Sequence, residues 1–162
     1  METMRDKSYR SLKVQQTCAA LLAIMFTYAA LSKLANYQLS REQMLNQIFP
    51  DTIAVQLTWS VPVLELLITI SLVLRTTIRK GLYASLLLLT AFSLYISLTM
   101  SGIFGSVPCS CGGILKNLGY TTHLLFNLFF ILLAVIGIKA DQRWITHKWL
   151  HFKQKGDLPK ID

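Results

Sequence analysis

Ile53-Ala54-Val55-Gln56-Leu57-Thr58-Trp59-Ser60-Val61-Pro62-Val63-Leu64-Glu65-Leu66-Leu67-Ile68-Thr69-Ile70-Ser71-Leu72-Val73-Leu74 carries one formal charge, Glu65. As a helix rising about 1.5 Å per residue, a run of this length crosses a hydrocarbon core of ~30 Å. Three more runs resemble it: Val14–Leu34, Leu82–Met100 and Thr122–Ile138. Their only formal charge is Lys33, at the very end of the first. Hydrophobic residues make up 53% of the 162-residue chain, and the mean hydropathy is positive. That balance excludes an ordinary water-soluble domain. The expected fold is all-α: a bundle of four transmembrane helices at about 14–34, 53–74, 82–100 and 122–138. Residues 1–140 form this membrane domain, and residues 141–162 a basic cytoplasmic tail.

The first run follows a basic leader of Arg5, Lys7, Arg10 and Lys13, and Ala30-Leu31-Ser32 resembles a signal-peptide cleavage site. The run is long for a signal-peptide core, so it reads as an uncleaved signal anchor. Lys and Arg placement sets the orientation. The leader holds four. Arg75, Arg79 and Lys80 lie between the second and third runs. Lys139, Arg143, Lys148, Lys153, Lys155 and Lys160 lie in the tail. Only Lys33, Arg41 and Lys116 fall in the two other loops. The expectation is therefore a bacterial inner-membrane protein with both termini in the cytoplasm. Basic residues on that side suit anionic lipid headgroups, and the net charge of +8 requires no nucleic-acid partner. Residues 36–51 read as a short interfacial helix capped by Ser40 and Gln43. Trp144 and Trp149 in the tail suit a second interfacial helix.

Pro108-Cys109-Ser110-Cys111-Gly112-Gly113 lies in an outward loop by this reading. Disulfides form and persist in an oxidising periplasm. Two cysteines separated by one residue close a small, strained ring, which is easily reduced. The pair therefore suits thiol–disulfide exchange. A loop staple and a metal carrier that also uses His123 are the competing readings. Pro108 and the glycines permit a tight turn and close approach by another chain. His123 opens the fourth run, where it can take a proton from a thiol or hydrogen-bond a carrier. Asn127 is one turn deeper on the same helix face. Glu65 sits near the bilayer midplane and must face the bundle interior, either as a proton-handling or cofactor-contacting group or as a neutral acid hydrogen-bonded to a neighbouring helix. Thr90, Ser93, Ser97, Ser101 and Tyr28 are candidate interhelical hydrogen-bond partners. Cys18, inside an apolar run, reads as inert packing. The chain has no internal repeat, phosphate-binding loop or nucleophile elbow.

Lys33-Leu34, Pro62-Val63-Leu64-Glu65 and the Cys109/Cys111 loop together resemble the MauE/DoxX family of redox-associated membrane proteins. The likeness covers roughly residues 12–138, and the loop is similar to that of Bacteroidetes-type members. It implies a membrane partner in the maturation of periplasmic disulfide-rich proteins, beside thioredoxin-like proteins. For DoxX-type relatives it implies coupling to quinone. The four-helix plan also resembles quinone-linked disulfide generators of the DsbB and vitamin K epoxide reductase type, which use two cysteine pairs. This chain offers one outer pair, so a partner supplies the second or a quinone oxidises this one directly. The expected activity is thiol–disulfide oxidoreduction. Cys109, Cys111 and His123 are its catalytic candidates, and Glu65, His123 and Asn127 its candidates for holding a quinone. No resident metal is expected. A non-catalytic membrane subunit or assembly factor is the alternative.

Overall fold

A computed structural model describes the backbone of residues 2–47, 50–101 and 120–155, and side chains within 9–47, 50–101 and 121–142. Among the described residues the chain is helical throughout: α1 (Glu2–Ala35), α2 (Tyr37–Leu45), α3 (Asp51–Val73), α4 (Ile78–Met100) and α5 (Tyr120–Lys155). Four stretches are long and apolar enough to cross a membrane: Tyr9–Ala35, Asp51–Val73, Ile78–Met100 and Thr121–Gln142. They correspond to the four runs read from the sequence.

Large apolar side chains cover the exterior, and polar ones share the interior with an apolar core that includes Leu22, Phe26, Leu72 and Leu82. Leu67, Ile70, Leu87, Leu94, Leu125 and Leu132 point outward, whereas Gln15, Thr58, Glu65, Ser85, His123, Asn127 and Asp141 are buried. Water would penalise so large an exposed apolar surface, and lipid accepts it. The buried positions recur three or four residues apart. They run Leu22, Phe26 and Ala30 on α1, Ala54, Thr58, Pro62 and Glu65 on α3, and Leu82, Ser85, Leu89 and Ser93 on α4. That spacing puts one stripe of each helix inside. Ala30, Ala54, Ser85 and Ala134 are fully enclosed, and small residues let the helix backbones approach.

α1 packs on α3 and α5, and α4 packs on the same two, so the long helices form an antiparallel ring. The end of α1, the start of α3, the end of α4 and the start of α5 share one end of the ring, where α2 also lies. α2 has no buried residue. It is held by Tyr37 against Trp59 (ring centroids 5.0 Å apart) and by the Tyr95 hydroxyl donating to Gln47 Oε1. At the opposite end Ser11 Oγ donates to the Ala140 carbonyl (2.5 Å) and Gln15 Nε2 to Asp141 Oδ1 (3.0 Å). Arg79 Nε lies 3.4 Å from Asp141 Oδ2, so three helices meet on one buried carboxylate.

Some local expectations change. Asn36, not Ser40, precedes α2 and makes no side-chain cap; Ser40 lies within the helix and its hydroxyl donates to the Lys33 carbonyl (3.2 Å). α2 covers 37–45 rather than 36–51, with Phe49 outside the described residues. The tail is no separate helix, because α5 runs unbroken to Lys155. Thr90, Ser93 and Ser97 donate to the carbonyls four residues back, and Ser101 to that three back, within α4 or at its end. In a span this return bond satisfies a hydroxyl without a neighbouring helix. Cys18 is buried, and Gly137 of α5 packs against it.

Gly81 is where α3 and α4 touch. A Cβ there would sit 2.9 Å from Leu72 N and 3.0 Å from the Ser71 carbonyl carbon, both rigid backbone. Gly81→Val should therefore destabilise the bundle by about 1–3 kcal/mol. Lipid-facing Leu87→Ala should shift stability by less than about 0.5 kcal/mol. Denaturant titration in micelles, followed by circular dichroism, checks both.

Candidate functional site

Glu65 lies 14 residues from the start of α3 and eight from its end. That is about 21 Å and 12 Å along the axis, near mid-span. Its side chain is 2% exposed, and Oε1 lies 2.6 Å from Lys33 Nζ. A lone charge at this depth is costly, and a paired one much less so. Lys33 is two residues from the end of α1, yet its four-carbon stem carries the ammonium inward along the bundle. The sequence reading counted Lys33 among loop charges and left Glu65 without a countercharge. The ion pair is the part of the site that this reading missed. Its signal was present, since Lys33 is the only other formal charge in the four apolar runs.

Pro62, one turn before Glu65, is itself buried. It has no N–H, so the Thr58 carbonyl lacks its usual helical donor. The Thr58 hydroxyl turns back to the Ala54 carbonyl (2.9 Å). Thr69 Oγ1 donates to the Glu65 carbonyl (3.0 Å). α3 thus stays helical but lacks one backbone hydrogen bond beside its buried acid.

α5 supplies the opposing wall. His123 and Asn127 are 6% and 5% exposed and face inward four residues apart. His123 is within Coulombic range of Lys33. The structure therefore brings Lys33, Glu65 and His123 into one electrostatic neighbourhood, with Asn127 on the same face of α5. Two of its polar atoms are buried without a hydrogen-bond partner: Glu65 Oε2, an acceptor, and Asn127 Nδ2, a donor. Unmet polar groups in a low-dielectric interior are costly, and such groups in a native structure point to a function. Cys109 and Cys111, with the whole segment from Pro108 to Gly113, lie outside the described residues. Among the described residues no three His, Cys, Asp or Glu side chains come close enough to share a metal ion. A shallow apolar groove lined by Ile53, Gln56, Trp59, Ser60 and Val63 runs along another face of α3, away from Glu65.

Glu65 Oε2 can accept a hydrogen bond from a bound group, and Asn127 Nδ2 can donate one. Removing either charge should cost more than removing both. Lys33→Met or Glu65→Leu alone should destabilise the bundle by about 3–5 kcal/mol, because the remaining charge is stranded. The double variant should regain most of that loss. A double-mutant cycle from unfolding in micelles measures the coupling.

No curated protein and no solved structure matches the chain. The family model described as methylamine utilisation protein MauE matches residues 11–140. That range, from Ser11 of α1 to Ala140 of α5, covers the second and third candidate spans, all but two residues of the first and all but two of the fourth, and every residue of the buried cluster. The chain is a multi-pass membrane protein, by its four apolar spans, and it belongs to the MauE family.

Proposed function

We propose that this protein is a thiol–disulfide redox protein of the bacterial inner membrane. It exchanges electrons between a periplasmic dithiol or disulfide partner, such as a thioredoxin-like or disulfide-rich protein, and a quinone in the bilayer. One observation carries the reading. The segment holding Cys109 and Cys111 leaves α4 after Ser101 and rejoins at Tyr120, three residues before buried His123. Both anchors stand at the end of the ring from which Lys33 reaches Glu65. The anchors of the cysteine loop and buried His123 thus share one end of the bundle. Membership of the MauE family supports the reading, and so does the scarcity of Lys and Arg in this loop, which favours the outer side.

The chemistry needs little machinery. A partner thiolate attacks one sulfur of the Cys109–Cys111 disulfide; that S–S bond breaks as a mixed disulfide forms. The partner's second thiolate displaces the loop, leaving a partner disulfide and two loop thiols. Two electrons and two protons have then moved onto the loop. A quinone supplies a bilayer-soluble acceptor for two electrons and two protons. His123 holds a proton between the thiols and the cluster, and Glu65 and Asn127 orient the ring. The same steps run backward when the partner is to be reduced.

Single cysteine variants test the reading. Cys109→Ser or Cys111→Ser should trap a partner as a mixed disulfide in cells, visible as a reductant-sensitive band on non-reducing gels. A loop whose disulfide is merely structural, as in a non-catalytic assembly factor, gives no such band with either variant.

A further inference from the structure

The outward face of α3 carries polar groups that its own helix leaves unmet. Ile53, Gln56, Ser60, Val63, Leu67 and Ile70 follow one another at alternating spacings of three and four residues, and all are exposed. Such spacing draws one continuous seam along a helix. Gln56 and Ser60 sit in it one turn apart, about 7 and 13 Å from the start of the span. Neither side chain has a hydrogen-bond partner among the described residues. The outward face of α4 also carries hydroxyls, yet Thr90 and Ser97 donate to carbonyls of their own helix (2.7 and 2.8 Å). On α3 itself Thr58, Thr69 and Ser71 do the same, and Ser60 does not. An amide and a hydroxyl turned toward hydrocarbon are costly without a partner. We propose that this seam of α3 is the contact between two copies of the chain, paired side by side about a twofold axis along the membrane normal.

Symmetry supplies what the seam lacks. Copies of one chain insert in one orientation, so in a twofold pair each seam residue meets its own counterpart at the same depth. The Gln56 amide is both donor and acceptor, so two of them satisfy each other. A different protein would need a polar group of its own at that depth, whereas a second copy carries one by construction. A single polar side chain in an apolar seam also fixes register and the number of helices that pair. The surface suits a helix, because Ile53, Gln56, Trp59, Ser60 and Val63 line a shallow groove. Ser60 is small and lets a second backbone come close. Trp59 is braced by Tyr37 of α2, which steadies one wall of the groove. Thr58, Pro62 and Glu65 occupy the buried stripe of α3, so pairing through the seam leaves the Lys33–Glu65 contact intact.

Förster transfer between terminally labelled full-length chains in lipid vesicles, over a range of protein-to-lipid ratios, tests the proposal. The native chain should give a dimer. Gln56→Leu, which only adds an apolar side chain to the lipid-facing surface, should weaken pairing by about three- to thirty-fold, the range of one interhelical hydrogen bond in a membrane. Gln56→Asn should retain most of the pairing, and Leu87→Ala on the outward face of α4 should leave it unchanged. Cross-linking reads the position of the contact, in a chain whose three native cysteines are replaced by serine. Ser60→Cys should then form a covalent dimer on oxidation, and Leu87→Cys should form none. A monomer at every ratio overturns the proposal and leaves the seam to lipid or to a helix of another protein. A dimer that Gln56→Leu does not weaken, or one that cross-links through Leu87→Cys and not Ser60→Cys, overturns it as well.

Discussion

The Lys33–Glu65 ion pair sets the geometry on which the rest of the site depends. In hydrocarbon neither charge is tolerable alone, and 2.6 Å between them is a short, strong contact. The pair ties the last turn of α1 to the middle of α3. Because α3 begins 14 residues before Glu65, its first turns must extend past the end of α1. α2 fills that step, with Tyr37 reaching Trp59. One electrostatic requirement thus fixes the stagger of two helices and the position of the short helix above them. At the other end Asp141 gathers Gln15 and Arg79, so α1, α4 and α5 are held by a second buried carboxylate. Between the two clamps the helices pack on Leu22, Phe26, Ile68, Leu72, Leu82 and Leu89, with Gly81 and Ala134 where backbones approach.

Most polar side chains in the bundle are spent on their own helices. Thr27, Thr58, Thr69, Ser85, Thr90, Ser93, Ser97 and Thr99 donate to carbonyls four residues earlier. This separates structural polarity from chemical polarity. After the returned hydroxyls are set aside, Glu65, Asn127 and Asp141 are the buried groups among the described residues with a side-chain atom left without a hydrogen-bond partner. The site is defined less by a cavity than by which atoms remain unsatisfied.

The fold was legible because a span is written locally: some twenty apolar residues carry their own signal, and the four runs coincide with the four spans. The inward orientation of Glu65 was legible for a related reason, since an acid at that depth is costly against lipid; that His123 is buried was not, since a histidine opening a helix also suits an interfacial anchor. The partner of Glu65 was not. A lysine beside a helix end normally extends its stem outward to water. Lys33 extends inward instead, and only the position of Glu65 on another helix explains it. The cap of α2 was misread because Ser40 and Gln43 fit a capping pattern, while the return of the chain at Asn36 depends on where α1 is pinned. Cys109 and Cys111, the strongest chemical signal in the sequence, lie outside the described residues, so their part in the account rests on the anchors of their loop.

The account rests on an ionised carboxylate held inside the bilayer by a lysine. Infrared difference spectroscopy of the protein in lipid, native against Glu65→Gln at neutral pH, reads that charge directly. The account predicts loss of an ionised-carboxylate stretching band with no change in the protonated-carboxyl region. Loss of a protonated-carboxyl band instead would show a neutral acid at Glu65, and would contradict the ion pair on which the architecture and the site are built.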